Sequence, residues 1–368
     1  MMKYDFLIVG SGLFGSVFAH EATKQGKKCL VLERRAHIGG NCHTQEVCGI
    51  NVHCYGAHIF HTNSDRVWRY MGQFCDFNRF VNSPLALYKG VMYNLPFNMN
   101  TFCRLWDDVH TPAEAKARIE QQRVKLDHEP RNLEEQALAQ VGWLVYERLI
   151  KGYSEKQWGR PACEIPAFVL KRIPLRYTFN NNYFDDQHQG IPQGGYSPIF
   201  DQLLLGCDVR LGVDFLDDPD YWKEQAEKIL FTGALDAYFH HCHGQLDFRS
   251  LRFEHKTMES VNDYQGNAVV NHADASVPYT RTIEHKHFEF GKQPGTVVTY
   301  EYSVPWHEGA EPCYPVNDER NERLAKQYKA MASTLKDVSF GGRLAEYRYY
   351  DMDDTVERVL DHPWLRQR

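Results

Sequence analysis

The segment YDFLIVGSGLFGSVFAHEATKQGKKCLVLERR, Tyr4 to Arg35, constrains the fold more than any other stretch of the chain. Its apolar run Phe6–Val9 reads as a buried parallel strand. Gly10, Gly12 and Gly15 follow in the spacing G-x-G-x-x-G. A helix fits Phe14–Gln25 with Gly26 as its stop, and Cys29–Leu32 reads as a second strand closed by Glu33. Glycines so placed permit a tight turn, approach of the backbone to a pyrophosphate, and close contact of helix with strand. The helix N-terminus offers amide donors to phosphates, and Glu33 stands where a carboxylate takes ribose hydroxyls. The bland alternative is a plain strand–turn–helix. Strand, helix, second strand and acid all fall at the offsets that a dinucleotide requires.

The continuation ERRAHIGGN, residues 33–41, chooses between dinucleotides. A basic pair after the acid, then Ile38, Gly39, Gly40 and Asn41, resembles the flavoprotein extension of this fingerprint, so FAD is favoured over NAD. The bland reading is an ordinary surface turn. At 368 residues the chain accommodates two or three domains. With 42 Lys and Arg against 48 Asp and Glu, its net charge of −6 disfavours nucleic acid or an anionic membrane as partner. A small anionic ligand needs only a local arginine cluster. No run of 18 apolar residues suggests a membrane span, no signal peptide is evident, and ten scattered cysteines suggest reduced thiols in the cytoplasm.

The α/β pattern is interrupted. TPAEAKARIEQQ (111–122) opens with Thr111, Pro112 and a capping-box Glu114. NLEEQALAQVGWLVYERLI (132–150) places Leu138, Val141, Val145 and Leu149 on one helical face and predicts a helix ended by Gly152. Residues 97–172 therefore read as a helical insertion. NAVVN (267–271) and GTVVTYEY (295–302) predict an antiparallel sheet, GCDVRLGVDF (206–215) a strand returning to the dinucleotide domain, and the end of 341–360 a helix capped by Asp353 or Asp354. The expected architecture is a Rossmann-like FAD-binding domain from 1–75, 190–242 and 325–368, a helical domain over 97–172, and an antiparallel sheet domain from 76–96, 173–189 and 243–324.

HCYGAHIFHT (53–62) raises the question of a metal, since His53, Cys54, His58 and His61 are all capable ligands. No second Cys/His pair sits at structural-site spacing, so no metal is expected. HHCH (240–243) is read as a surface turn. Elsewhere arginines and aromatics concentrate: Tyr153 and Trp158 in a turn after a helix, Arg172, Arg176 and Tyr183 in 170–186, then Arg281, Tyr314 and Tyr349. Arginine suits bidentate phosphate contacts and aromatic faces stack on bases, which together point to a nucleotide diphosphate. Any one of these taken alone is more simply a packed ring or a solvated ion pair.

The motifs GSGLFG, HIGGN, YGAHIFHT, NSPLALYKG, GYSEKQWG, KRIPLRYTFNNNYF, IPQGGY, YTRTIEHKHF and GGRLAEYRYYDMDD occur in this order over nearly the whole chain. Together they closely resemble the bacterial UDP-galactopyranose mutase family, although the chain is short after its DMDD helix. The resemblance implies an isomerase with FAD, active when reduced. It would interconvert UDP-galactopyranose and UDP-galactofuranose through a flavin N5–sugar adduct with no net redox change, and supply galactofuranose for surface polysaccharide. It implies Arg172 and Arg281 as a diphosphate clamp, with Tyr183, Tyr314 and Tyr349 donating hydroxyls. Trp158 and Tyr153 would lie on a mobile loop with Arg172, and Asn82, Asn271 and Asp351 would contact substrate. His58 would lie on the flavin beside the substrate. Cofactor contacts would come from Gly10, Gly12, Phe14, Gly15, Glu33, Arg34, Gly40, Asn41, Ile59, Val213, Asp214, Arg343, Met352 and Thr355, with Arg249 a weaker candidate. The implied partners are a cellular reductant and a second copy in a homodimer. The alternatives are a flavin oxidoreductase of the amine-oxidase type, or a non-catalytic flavoprotein.

Overall fold

The computed structural model describes residues 3–172, 175–307 and 309–366, the side chains of Phe168, Lys171 and Arg172 excepted. Tyr4–Val9, Leu13–Lys24 and Cys29–Glu33 form the strand, helix and strand expected, each within two residues of its predicted ends. The first strand is the centre of a five-stranded sheet. Across that sheet the strands run Val338–Phe340, Ala226–Phe231, Tyr4–Val9, Cys29–Glu33 and Asp208–Leu211, every pair parallel. Alternate side chains leave opposite faces of a strand. Phe6, Ile8, Val31 and Leu230 join one core with Phe18, Phe200 and Val356, whereas Tyr4, Leu7, Leu30 and Phe231 join another with Phe215 and Trp222. Burial on both faces explains why these strands read as unbroken apolar runs.

A seven-stranded sheet forms the second layer. Its strands lie in the order Tyr314–Pro315, Phe248–Met258, Thr296–Pro305, Arg281–Glu284, Val269–His272, Leu85–Tyr88 and Val91–Asn94. The sheet is antiparallel as expected, except that Val269–His272 and Leu85–Tyr88 run parallel. A helical core built on Phe102, Ile119, Leu133 and Tyr146 packs with Ala86 and Tyr93 at the edge of this sheet. Pro112–Gln122 carries the predicted capping box: Glu114 N–H donates to Thr111 Oγ1 at 3.3 Å, and Thr111 N–H to Glu114 at 2.8 Å. No helix of the described residues is long and apolar enough to cross a membrane.

Four local expectations are corrected. The helix expected over 132–150 is interrupted: it stops at Gln140, Gly142 takes φ +79°, and a new helix starts at Trp143. A Cβ on Gly142 would lie 2.6 Å from Gln122 Cβ, so the break is set by a neighbouring helix. Gly152 is no stop, because the chain passes through a wide π-helical turn at Tyr146–Lys151 and continues as Gly152–Trp158. That places Tyr153 and Trp158 inside a helix rather than in a turn. The segment 243–324 is not all sheet, since a helix begins at Glu319. Finally, Asp351 occupies the N-cap of Met352–Leu360 without a side-chain capping bond, and Asp353 and Asp354 fall in the first turn.

Gly152 has another task. A Cβ there would meet the carbonyl oxygen of Ala273 at 2.3 Å, so its helix lies directly on the sheet domain. One turn on, Lys156 Nζ donates to the carbonyls of His272, Asp274, Val277 and Tyr279 at 2.7–3.0 Å, holding the helix against the hairpin that leads to Arg281. We expect Gly152→Ala to destabilise the protein by about 1–3 kcal/mol through overpacking, although alanine is the better helix former by about 1 kcal/mol. A denaturant midpoint that rises would show that this helix is free of the sheet.

Candidate active site

One large cavity, about 1370 Å³, runs from the C-terminal ends of the parallel strands to the face of the seven-stranded sheet that carries Asn271 and Arg281. Its floor at the parallel-sheet end is bare backbone. Gly10 has φ +101°, and a Cβ there would sit 2.2 Å from Thr232 Oγ1. A Cβ on Gly15 would sit 2.0 Å from the Gly10 carbonyl oxygen, and one on Gly40 2.9 Å from Gly12 Cα. Gly10, Gly12, Phe14, Gly15, Gly40 and Asn41 all line the cavity. This cradle of glycines beneath a helix N-terminus fits the pyrophosphate of a dinucleotide.

Glu33 is buried at the cavity wall and already engaged. Its Oε2 accepts from Ser11 N–H at 3.0 Å and Ser11 Oγ at 2.7 Å, and its Oε1 accepts from Arg35 N–H at 2.9 Å. The carboxylate therefore braces the glycine turn as well as facing the cavity. Val213 and Asp214 line the same end. Arg34 lines it too, but both it and Arg35 are tied to Glu311, at 2.5 and 2.8 Å, in a segment that the sequence motifs do not single out.

The histidine-rich stretch does not converge on a metal. His53 is buried and stacked on Phe288 with ring centroids 4.5 Å apart, and His61 Nδ1 pairs with Asp186 at 2.9 Å. The Cys54 thiol reaches the Val52 carbonyl oxygen at 3.6 Å. His58 and Ile59 line the cavity. The His58 backbone N–H donates to His53 Nδ1 at 3.2 Å, and its own Nδ1 donates to the Gly56 carbonyl at 2.8 Å, which leaves Nε2 without a bond among the described residues. Burial, with Arg343 and Arg281 nearby, pushes the His58 pKa down to about 4, against the Gly56 carbonyl, so the ring is neutral at pH 7. Among the described residues the one His/Cys/Asp/Glu group at metal-ligand spacing is Asp263, Glu284 and His287, elsewhere.

At the far end Asn82, Tyr153, Tyr183, Asn271, Arg281 and Tyr314 line the cavity, as do Tyr349, Asp351, Arg343, Met352 and Thr355. Burial raises the phenol pKa values of Tyr153, Tyr183 and Tyr314, that of Tyr153 to about 12, so these hydroxyls remain donors. Asn271 Oδ1 is buried with no partner among the described residues. Arg281 is held by a residue that no sequence motif marks: Glu301, fully buried, accepts from its Nε at 2.9 Å and from one Nη at 2.8 Å. The two are direct cross-strand neighbours. Burial opposes the Arg281 charge, but Glu301 keeps its pKa well above the ordinary value.

Three expected residues stand apart. Trp158 is absent from the lining and packs on the helical core. Arg249 is also absent from the lining; its guanidinium donates to the Gln157 carbonyl at 3.2 Å and Ser303 Oγ at 2.9 Å. The side chain of Arg172 lies outside the described residues. Conversely, Arg176 reaches the lining, and so does His241 of the HHCH turn, whose Nδ1 pairs with buried Asp236 at 3.0 Å.

Comparison with known proteins settles the kinship. A family model described as UDP-galactopyranose mutase matches residues 148–349, just over half the chain. The chain belongs to that family. A model for NAD(P)-binding Rossmann-like domains matches residues 8–74. A probable UDP-galactopyranose mutase of Klebsiella pneumoniae is 36% identical over 98% of this chain and 94% of its own. A dTDP-fucopyranose mutase of Escherichia coli is 37% identical over 96% of each. The crystal structure of a reduced UDP-galactopyranose mutase superposes with a TM-score of 0.74 over 97% of this chain and 94% of that one, at 14% identity. It shares the fold: a Rossmann-like domain with parallel sheet, joined to an antiparallel sheet domain and helices.

Two outcomes follow from this geometry. Glu301→Ala would strand the Arg281 charge and should cost about 3–5 kcal/mol, read by chemical denaturation; no loss would mean that the pair is dispensable. Between pH 6.5 and about 4 the unfolded His58 binds a proton that the native ring resists. Stability should therefore fall as pH drops through that window, and His58→Asn should flatten the fall in thermal midpoint over it.

Proposed function

We propose that the chain is an FAD-dependent UDP-galactopyranose mutase, an isomerase that interconverts UDP-galactopyranose and UDP-galactofuranose. The observation that carries this reading is a single cavity with a dinucleotide cradle at one end and Arg281, Asn271 and three half-buried phenols, Tyr153, Tyr183 and Tyr314, at the other. The family membership selects the reaction. A reduced flavin held between the glycine cradle and Arg343, Met352 and Thr355 would supply an electron-rich nitrogen as the nucleophile for this reaction.

The chain's own residues then have defined tasks. Arg281, oriented by Glu301, faces the leaving diphosphate, with Tyr183, Tyr314 and Tyr349 giving hydroxyl donors. A charge-assisted bond of this kind contributes about 1.5–3 kcal/mol. Arg172 is proposed as the second cation from the resemblance. Asn82, Asn271, Tyr153 and Asp351 hold sugar and nucleoside. Neutral His58 orients the sugar over the cofactor without adding a competing charge. Glu33, Val213 and Asp214 receive the adenosine end, and Arg343, Met352 and Thr355 the flavin end. Free cysteines support a reducing cytoplasm as the compartment. A cellular reductant, a homodimer, a role in supplying galactofuranose to surface polysaccharide, and the three-domain division expected above complete the reading.

An amine-oxidase-type activity would call for an apolar tunnel, and the ion pair and phenols at this end of the cavity oppose it. The Escherichia coli relative supports a second reading, with dTDP-fucopyranose as the sugar nucleotide. The test is incubation of the purified protein with UDP-galactofuranose and, separately, dTDP-fucofuranose, with and without dithionite, products resolved by anion exchange. Conversion of the first to its pyranose only after reduction is expected, with Arg281→Ala slower by about tenfold to a hundredfold. Conversion of the thymidine sugar alone would move the assignment to the second reading, and conversion of neither would sink both.

A further inference from the structure

We propose that Cys29 and Cys207 form a reversible disulfide, made when the chain meets a peroxide, that staples the outermost strand of the parallel sheet to its neighbour. Leu30 lies opposite Asp208 in the parallel pairing of Cys29–Glu33 with Asp208–Leu211, and the same register carried one residue back would set Cys29 opposite Cys207, just before the edge strand begins. Register neighbours on adjacent strands are about 5 Å apart, inside the Cα separation that an unstrained disulfide spans. Their side chains leave the same face: Cys29 is buried in the core with Val31, and Cys207 packs against that core. The two thiols are close enough to act on each other's proton affinity in opposite directions, raising that of Cys29 and lowering that of Cys207.

The pair is chemically unequal. Cys29 is buried, whereas Cys207 is half-exposed and has Thr23 Oγ1 at 3.3 Å from its sulfur. The neighbouring Cys29 and Thr23 lower the Cys207 pKa, while Cys207 and burial raise that of Cys29. Cys207 is therefore the nucleophile and Cys29 the resolving thiol. The Cys207 thiolate attacks one peroxide oxygen, the O–O bond breaks, and a sulfenic acid and hydroxide result. Cys29 then attacks the sulfenyl sulfur, the S–O bond breaks, and water leaves as the S–S bond forms. The two thiols lose two electrons, and the peroxide is reduced to two waters once hydroxide regains the proton that Cys207 released.

The position gives the bond a consequence. Asp208–Leu211 is an edge strand, exposed throughout and paired only with Cys29–Glu33. Its continuation bonds back to the same neighbour, Gly212 N–H to Arg35 O and Val213 N–H to Glu33 O, each at 3.0 Å, and Val213 and Asp214 form the cavity wall. A covalent link at the start of this strand secures the whole edge, wall included. It also closes a very long loop, which favours stabilisation.

The full-length protein, purified reduced, would be treated with equimolar hydrogen peroxide, alkylated, and digested without reductant. We expect a peptide pair joined through Cys29 and Cys207, and a thermal midpoint higher by about 3–5 °C, both reversed by dithiothreitol. Cys207→Ser should lose the link and the shift, whereas Cys163→Ser, at an exposed thiol remote from the pair, should keep both. Recovery of Cys207 as sulfenic or sulfinic acid beside alkylated Cys29, or joined to another thiol, would overturn the pairing. A link that forms without raising the midpoint, or a shift that survives in Cys207→Ser, would overturn the staple.

Discussion

The close approach of neighbouring atoms to the bare backbone of the glycine turn is the constraint on which the rest of this structure depends. Gly10 lies against Thr232 and Gly15 against the Gly10 carbonyl, while Gly40 faces Gly12, all at distances that leave no room for a Cβ. That crowding holds the first strand, the first helix and the loop after the second strand in one fixed relation. Glu33 reinforces it from the side through Ser11 and the Arg35 amide. A cradle without side chains exposes amide donors and the positive end of a helix, and an anionic group is the ligand that such a surface suits.

The second sheet answers this rigid floor with a set of side chains that would be costly to bury without partners. Arg281 is tolerated there because Glu301 stands beside it on the next strand with both carboxylate oxygens engaged. The pair is a positioning device rather than a net source of stability, since burying two ions costs about as much as their attraction returns. What it provides is an arginine of fixed direction. Lys156 acts similarly on the helix above, drawing four carbonyls of the hairpin around one ammonium, so that Tyr153 and Arg281 belong to a single packed unit.

Features carried by neighbours in sequence are legible from the chain alone. The first strand, helix and strand and the capping box at Thr111 depend on residues a few positions apart, and they lie within two residues of expectation. The strand expected within 206–215 is present as the shorter Asp208–Leu211. The glycine, arginine and tyrosine motifs also lead to one cavity, Trp158 and Arg249 excepted and the Arg172 side chain outside the described residues. What escapes a reading of the sequence depends on contacts between distant segments. The break at Gly142 comes from Gln122 on another helix, and Gly152, which looks like a helix stop, is a contact point with Ala273. Glu301 carries no signal in its own stretch, because its significance lies in the register that sets it opposite Arg281.

By itself the sequence determined the local chemistry: a phosphate-binding turn, a flavoprotein-like extension and a supply of arginines and phenols, each set by short-range spacing and side-chain type. Only the tertiary structure decided which of these groups face one another. It left His53, Cys54, His58 and His61 unable to share a metal, and turned Trp158 into a helical core while Tyr153 faces the cavity. It also bound Arg34 and Arg35 to Glu311 and gave Arg281 a buried partner. The physical reason is that direction and desolvation arise from packing between segments far apart in the chain, and no local pattern encodes them.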